Sequence, residues 1–158
     1  MKKYVKADIS DLSEESVETR ILLAADPKIR PSVAERLATD KDPRVRYALS
    51  QNKGVPAYVY SMIDRTGLNP EEVMLGMDIY GDIDALGDGL LSQVEYAVTN
   101  LGGVFVDAQW GTYNDEDGRD VEFNVWYQCL DGYYHEIGDA IEDVVEQAGF
   151  EVYTKDYF

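Results

Sequence analysis

The order of apolar and polar residues between positions 13 and 66 predicts two copies of a two-helix unit. Each copy contains a helix, a turn at Asp or Asn, a proline near the start of the next helix, and that helix. Proline in the first turn of a helix and Asn or Gly just past its end are the expected places for these residues. We therefore predict a helical repeat domain at residues 1–66. An offset of 26 residues aligns Arg20 with Arg46, Leu23 with Leu49, Asp26 with Asn52, Val33 with Val59 and Leu37 with Ile63.

The stretch 67–89 is predicted to be a junction between two domains. Gly and Asp are frequent here, and the apolar residues between Val73 and Tyr80 favour one short packed helix over an unstructured linker. The segment Leu68 to Val73 has a second interpretation, as the beginning of a degenerate third helical unit.

From Leu90 onward the pattern predicts a small acidic α+β domain (90–158) in the order α-β-β-α-β. Helical spacing gives way to the alternation of strands after Gly102-Gly103, and Asp117-Gly118 is a strong hairpin signal. On the second strand, Val121, Phe123, Val125 and Tyr127 share one face. We expect both helices to pack on one face of an antiparallel sheet. The predicted elements are a helix at 90–101, strands at 104–113 and 121–129, a helix at about 134–148 and a short strand at 150–153.

The segment Asp42 to Asn52 reads DPRVRYALSQN. It resembles the leucine-rich-repeat-variant family of short HEAT-like helical repeats, whose units read roughly DP-x-VR-x-A-L-x-x-N. The resemblance extends over residues 13–66 and implies a fragment of an α-solenoid that acts as an interaction scaffold. Solenoids generally need three or more units to bury a continuous core. Two units must therefore be completed by a third unit or capped by the second domain.

Charge divides unevenly between the two halves of the chain. Residues 1–66 carry 12 Lys or Arg and 10 Asp or Glu, whereas residues 67–158 carry 21 Asp or Glu against only Arg119 and Lys155. The net charges are +2 and −19, which sum to the −17 of the whole chain. A soluble surface normally mixes both signs, because a single-sign field destabilises the compact state. A positively charged partner is one explanation for this imbalance.

The predicted helix at 134–148 concentrates this charge. Its apolar stripe is predicted to face the sheet, and its other face has no Lys or Arg. Like charges three or four residues apart each cost a few tenths of a kcal/mol, and acidic residues in the last turn oppose the helix dipole. We therefore predict a partner-binding surface on this helix and on the hairpin loop. Its residues are Glu136, Asp139, Glu142, Asp143 and Glu146 on the helix and Asp115, Glu116 and Asp117 on the hairpin.

In composition, size and charge the chain is similar to DNA mimics of phages and mobile elements, such as antirestriction and anti-CRISPR inhibitors. Carboxylates four residues apart on a helix rise by ~6 Å, so rows of them can imitate phosphates. The similarity implies a non-enzymatic inhibitor that engages a basic protein surface, with a nucleic-acid-binding enzyme as the partner. The helical repeats would add interface or homodimer contacts. Direct binding of nucleic acid is not expected, because the acidic surface repels phosphates.

Two other functions remain open from the residues. The chain is alternatively a helical-repeat scaffold or adaptor whose acidic domain keeps it soluble. A second alternative is a small ligand-binding or enzymatic α+β domain. A row of repeat arginines (Arg20, Arg30, Arg36, Arg44 and Arg46) is also compatible with nucleic-acid binding, although a solvated repeat surface balanced by acidic residues is the favoured interpretation.

Signals for catalysis, metals and cofactors are weak. Cys129 and His135 are six residues apart, but a Cys-His nucleophile also needs an orienting third group. The segment Asp82 to Gly87 resembles the opening of an EF-hand loop, but Leu86 and Gln93 stand where two ligands are needed. We predict no catalytic residue, no metal site and no cofactor.

The compartment is inferred from the cysteine content and from hydropathy. Cys129 has no partner for an internal disulfide, which favours a reducing cytoplasm. The residues after Met1 are basic but lack the apolar run of a signal peptide. No stretch approaches the ~20 apolar residues of a membrane span, and an acidic surface repels anionic membranes. We expect a cytoplasmic protein without a membrane partner.

Overall fold

The computed structural model describes residues 12–113 and 117–158. Contacts divide the chain into two compact units that meet between Asn69 and Pro70. We call them the helical unit and the α+β unit. Within the two described ranges, no helix has both the length and the apolar composition needed to cross a bilayer.

Within residues 12–69, the helical unit has a short 3-10 turn at Leu12–Glu14 followed by four α-helices. Helices α1 and α3 begin 26 residues apart, and so do α2 and α4. Ser16 caps α1 by accepting a hydrogen bond from the Thr19 amide, and Asp42 caps α3 in the same way from the Arg44 amide. The four helices are α1 (Val17–Ala25), α2 (Pro31–Leu37), α3 (Pro43–Gln51) and α4 (Ala57–Met62).

Buried polar side chains close the turns of the helical unit. Arg20 donates to the Asp40 carboxylate at 2.8 Å and to the Glu15 carbonyl at 2.6 Å. Arg46, at the aligned position, donates to the carbonyls of Asp64 (2.6 Å) and Thr66 (2.8 Å). Both side chains are almost fully enclosed. Because buried polar groups must be hydrogen-bonded, these two arginines are structural.

The α+β unit contains a four-stranded antiparallel sheet in the order β2-β3-β1-β4. Its elements follow each other as β-α-β-β-α-β, which together with this strand order is the split β-α-β, or ferredoxin-like, topology. A 3-10 turn at Ile83–Ala85 precedes α5. The elements are β1 (Pro70–Tyr80), α5 (Asp88–Asn100), β2 (Val104–Thr112), β3 (Asp120–Leu130), α6 (Tyr134–Gln147) and β4 (Glu151–Tyr157).

The predicted junction at 67–89 with a short helix is wrong. Strand β1 occupies most of it and lies at the centre of the sheet, paired with both β3 and β4. The core side chains of β1 alternate (Val73, Leu75, Met77, Ile79), but Met74 and Tyr80 on the opposite side hide that alternation. The acidic domain therefore begins at Pro70 with a strand, and a third helical unit at 68–73 is also excluded.

Both helices of the α+β unit pack on one side of the sheet, as predicted. The face Val121, Phe123, Val125 and Tyr127 is completely buried. Side chains from α5 and α6 join them in a single core, among them Leu90, Val94, Val98, Ile137, Ile141 and Val145. This arrangement confirms an α+β fold, and both described helices of the unit lie on the same side of the sheet.

Candidate interaction surfaces

Helix α6 presents the predicted carboxylates away from the core, and we call Glu136, Asp139, Glu142, Asp143 and Glu146 the acidic row. All except Glu142 are exposed. The opposite side of α6 packs on the sheet through Ile137, Ile141 and Val145. The helix therefore has the amphipathic orientation that its sequence predicts.

Lys155 of β4 neutralises part of the acidic row. Its Nζ lies 2.6 Å from Asp139 Oδ1 and 2.5 Å from Glu142 Oε2. Burial by itself lowers the pKa of Lys155, but the hydrogen bonds to Asp139 and Glu142 outweigh it and hold the pKa above its ordinary value. Two of the five carboxylates thus have an internal counterion. The row is therefore less available to a binding partner than its sequence suggests.

At the C-terminal end of the acidic row, Glu146 is repelled by neighbouring carboxylates. Partial desolvation, a hydrogen bond with Glu142 and the neighbouring Asp143 charge together raise the pKa of Glu146. Glu146 also stands in the last turn of α6, where the helix dipole disfavours negative charge. A cation that binds here would relieve this repulsion.

The hairpin part of the predicted surface is described only at Asp117, since Asp115 and Glu116 lie outside the described residues. Asp117 accepts hydrogen bonds from the Tyr80 hydroxyl and from the Arg119 amide, both at 3.1 Å. The hydrogen bond to Asp117 raises the pKa of Tyr80. The Arg119 guanidinium lies 5.6 Å from the centre of the Tyr80 ring. Asp117 therefore sits beside one of the two cationic side chains of this unit.

A second acidic surface lies on the side of the sheet opposite the helices, which we call the open face. Strand pairing aligns Asp107 with Trp126 and Asp78 with both Glu122 and Thr154. These residues alternate with the buried core residues of their strands, so their side chains share the outer side. The carboxylates of the open face are Glu72, Asp78, Asp107, Asp120, Glu122, Glu151 and Asp156.

Hydrogen bonds across the open face fix the position of Asp78. Its two carboxylate oxygens accept hydrogen bonds from the Tyr113 hydroxyl, at the end of β2, and from Thr154 Oγ1 of β4 at 2.9 Å. The hydrogen bond to Asp78 raises the pKa of Tyr113 to about 12. Asp78 thereby joins a side chain of β4 and the side chain that follows β2.

Aromatic rings also lie on the open face. The Phe158 backbone pairs with Met74 through hydrogen bonds of 2.9 and 3.1 Å, which places the Phe158 ring beside Gly76. That ring is 73% exposed. Tyr153 packs against Tyr80 with 6.3 Å between ring centres, and Trp126 lies between Asp107 and Met74 in the strand pairing. Exposed aromatic rings on a rigid sheet are typical of recognition surfaces.

The open face is not predicted from the sequence, although part of its signal is legible in β3. The outward positions of β3 are Asp120, Glu122, Asn124, Trp126 and Gln128, which mirror the inward face that was predicted. The surface could not be assembled without β1, the strand mistaken for a helix, because β1 separates β3 from β4.

Cys129 and His135 do not form a nucleophilic pair. Cys129 is 1% exposed within the core, and burial raises the pKa of its thiol to about 12. His135 is exposed and stacks on Tyr134 and Tyr157, with ring centres 4.1 and 4.8 Å apart. A thiol of this kind remains protonated near neutral pH and is a poor nucleophile.

Asp82, the first residue of the segment that resembles an EF-hand loop, has a role in local structure. Asp82 accepts a hydrogen bond from the Asp84 amide at 3.0 Å and thereby caps the 3-10 turn Ile83–Ala85. Across residues 12–113 and 117–158, the side chains of His, Cys, Asp and Glu form no group of three or more that could hold a metal ion.

The arginines of the helical unit do not act together as a phosphate-binding row. Arg20 and Arg46 are buried and bonded within the unit, and Arg44 forms an ion pair with Asp42 at 3.0 Å. Arg30 and Arg36 are exposed. The predicted solvated arginine surface is therefore wrong for Arg20 and Arg46, which are buried.

The chain has no significant match to a protein-family model, to a curated protein or to a solved structure. The geometry of the surfaces therefore has to carry any functional argument, since a ferredoxin-like topology by itself implies no function.

Proposed function

We propose that this chain is a non-enzymatic inhibitor whose α+β unit binds a basic surface of a protein partner. The observation that carries the proposal is the charge of residues 70–158, where 21 Asp or Glu stand against Arg119 and Lys155. Self-repulsion on this scale lowers the stability of the compact state. A cationic partner would relieve that repulsion when it binds, and the same field would accelerate its association.

The partner we propose is a nucleic-acid-binding enzyme, and the inhibitor would occupy its groove as a DNA mimic. Successive turns of α6 carry carboxylates about 6 Å apart along the helix axis. Glu136, Asp143 and Glu146 are exposed along this helix, beyond the two carboxylates that Lys155 engages. Inhibitors of restriction or CRISPR enzymes are the class that this mode of action fits. The proposed location is the cytoplasm, and the helical unit would add interface area or contacts to a second copy.

Capture followed by competition tests the proposal. Proteins retained from a cell lysate at low salt would be eluted with a salt gradient, and the principal partner would then be titrated with duplex DNA in the presence of the chain. We expect mutually exclusive binding that weakens strongly between about 0.05 M and about 0.5 M salt. Simultaneous binding of DNA and the chain, or binding that salt does not weaken, would contradict the proposal.

A matched pair of variants connects the result to the acidic row. The substitutions Glu136→Lys, Asp143→Lys and Glu146→Lys reverse three exposed charges and leave the Lys155 partners intact. The control Glu14→Lys, Glu15→Lys and Glu18→Lys makes the same charge change in the helical unit. Loss of inhibition in the first variant alone supports the row as the contact, whereas equal loss in both indicates a general effect of net charge.

A helical-repeat scaffold is the second candidate function. The helical unit exposes apolar side chains that a purely structural cap would bury, namely Leu22, Tyr58 and Met62. If the helices α1 to α4 are two units of the predicted repeat, these residues would provide its binding surface. Replacement of all three by Ser would then abolish partner binding while the charge reversals in α6 would have no effect.

A further inference from the structure

Among the described residues, positive charge at the open face is limited to Arg119, which precedes β3 and places its guanidinium 5.6 Å from the centre of the Tyr80 ring, at the end of the sheet away from Trp126. Among the residues of the four strands, all of which the structure describes, Lys155 is the only Lys or Arg. Its side chain points to the helix side, where it binds Asp139 and Glu142. A solvated sheet face normally mixes charges of both signs. The open face instead combines many carboxylates with exposed aromatic rings.

We propose that the open face, rather than the acidic row of α6, is the main contact of the α+β unit, and that it binds an arginine-rich segment of a protein partner. This inference rests on the proposed binding of a basic partner by the α+β unit, and it moves the main contact from α6 to the open face. A guanidinium group can stack on an aromatic ring and bind a carboxylate through two parallel hydrogen bonds. Lysine offers only a point charge. The open face provides both kinds of acceptor within one surface.

The positions of rings and carboxylates on neighbouring strands favour this chemistry. Trp126 of β3 aligns with Asp107 of β2 on one side and with Met74 of β1 on the other. The backbone of Met74 is in turn hydrogen-bonded to that of Phe158, which follows β4. Asp156 aligns with Gly76, the residue beside which the Phe158 ring lies. Adjacent strands are about 4.8 Å apart. A guanidinium above Phe158 or Trp126 would therefore have a carboxylate within reach.

The acidic row is the poorer candidate for the main contact. Lys155 already occupies Asp139 and Glu142, so a partner would have to compete with an internal ion pair. The aromatic residue at the start of α6, Tyr134, packs against Tyr157 with ring centres 5.0 Å apart. The ring of Tyr134 is therefore already engaged within the unit.

Single-stranded RNA is the competing class of ligand for a four-stranded sheet with exposed rings. Bases stack on such rings in RNA-binding domains. The carboxylates around Trp126 and Phe158 would, however, repel the phosphates of a bound strand. Charge complementarity thus favours a cationic peptide.

The experiment uses the full chain and two synthetic probes, nona-arginine and nona-lysine, with binding followed by calorimetry and tryptophan fluorescence. The open-face variant carries Glu72→Gln, Glu122→Gln and Asp156→Asn. The row variant carries Glu136→Gln, Asp143→Asn and Glu146→Gln, which removes the same number of charges. All six side chains are exposed, so both variants should retain the far-ultraviolet circular dichroism of the wild type.

We expect nona-arginine to bind the wild type about tenfold more tightly than nona-lysine, the effect of one desolvated stacking contact. The open-face variant should lose about tenfold in affinity for nona-arginine, and the row variant less than about threefold. In the double variant Trp126→Leu and Phe158→Leu the preference for arginine should disappear while binding of nona-lysine is retained.

Three outcomes would overturn the inference. Equal weakening in both triple variants would assign binding to net charge and leave the proposed function standing. Absence of binding to either peptide at low salt would contradict the proposed function as well. Tighter binding of a short oligouridine than of nona-arginine would assign the open face to RNA.

Discussion

Lys155 Nζ lies 2.6 Å from Asp139 Oδ1, so a strand residue supplies the counterion that helix α6 lacks. The register of β4 explains this contact, because Lys155 aligns with the buried Met77 and therefore points to the helix side of the sheet. With 23% of the side chain exposed, the lysine covers apolar surface with its stem while its charged end reaches the carboxylates. The same side chain also binds Glu142.

Replacement of Lys155 by Met should destabilise the α+β unit by about 1 kcal/mol at low salt. The substitution removes both ion pairs and leaves the acidic row without compensation. High salt screens this repulsion, so the loss should shrink as salt is added. Urea unfolding followed by tryptophan emission measures the effect, because Trp110 and Trp126, the two tryptophans of the chain, both belong to this unit.

The charge explanation for Lys155 can be separated from lost packing. Adding Asp139→Asn and Glu142→Gln to Lys155→Met removes the uncompensated carboxylates, so the triple variant should recover most of the lost stability. If the triple variant remains as unstable as Lys155→Met, the lysine stem rather than its charge is responsible.

Asn52 should be essential for the helical unit. Its side-chain amide is buried and donates to the carbonyls of Ala24 (2.8 Å) and Asp26 (2.7 Å) at the end of α1. Asn52→Ala would leave both carbonyls without this donor, at a cost of about 2 kcal/mol. Hydrogen exchange of peptides from 17–62 should then accelerate by about 30-fold. The exposed neighbour Gln51 provides the control, and Gln51→Ala with an equal effect would rule out this role for Asn52.

The helical unit was easier to predict than the sheet because its signals are local. Asp42 and Pro43 define the start of α3 through one cap and one fixed dihedral angle, and both were legible in the sequence. Strand β1 has no comparable local signal. Its outer side carries Met74, Gly76 and Tyr80, so the alternation of period two is obscured, and only its pairing with β3 and β4 defines it.

The candidate surfaces were also predictable only where their signals are local. The acidic face of α6 follows from helical periodicity alone. Its contact with Lys155 and the assembly of the open face depend on the register of β4 against β1, which is long-range information. The shared face within β3 and its hairpin pairing with β2 could be read from sequence, but its other neighbour, β1, could not.

Tyr113 should titrate late because its hydroxyl donates to Asp78. This bond raises the pKa of Tyr113 to about 12. The protonated hydroxyl stabilises the fold below the ordinary tyrosine pKa of about 10, and that contribution is lost as the pH rises through about 12. The difference between the tyrosinate absorbance titrations of the wild type and Tyr113→Phe isolates this group.

Because the raised pKa of Tyr113 depends on Asp78, a substitution of Asp78 provides a control for the tyrosinate titration. In Asp78→Asn the acceptor loses its charge, so the midpoint of Tyr113 should fall toward about 10. Glu72→Gln removes a carboxylate from the same face without touching Tyr113 and should leave the midpoint in place. An unshifted midpoint in Asp78→Asn would exclude the hydrogen bond as the cause.

Gly138 should be intolerant of a side chain although it lies inside a helix. A Cβ there would collide with Tyr157 Oη and stand 2.7 Å from Cε1 of the same ring, which is held by Tyr134 and His135. Gly→Ala in a helix normally stabilises by up to about 1 kcal/mol. Here overpacking should reverse the sign, and Gly138→Ala should cost roughly 1 to 3 kcal/mol in urea unfolding.

Two further variants separate overpacking at Gly138 from helix propensity. Gly89 in α5 is exposed, and a methyl group added to it would have no neighbouring atom within 4 Å, so Gly89→Ala should be neutral or stabilising. In a Tyr157→Ala background the obstacle is gone, and Gly138→Ala should then stabilise the unit. A Gly138→Ala penalty that persists without the Tyr157 ring would show that the glycine is required for another reason.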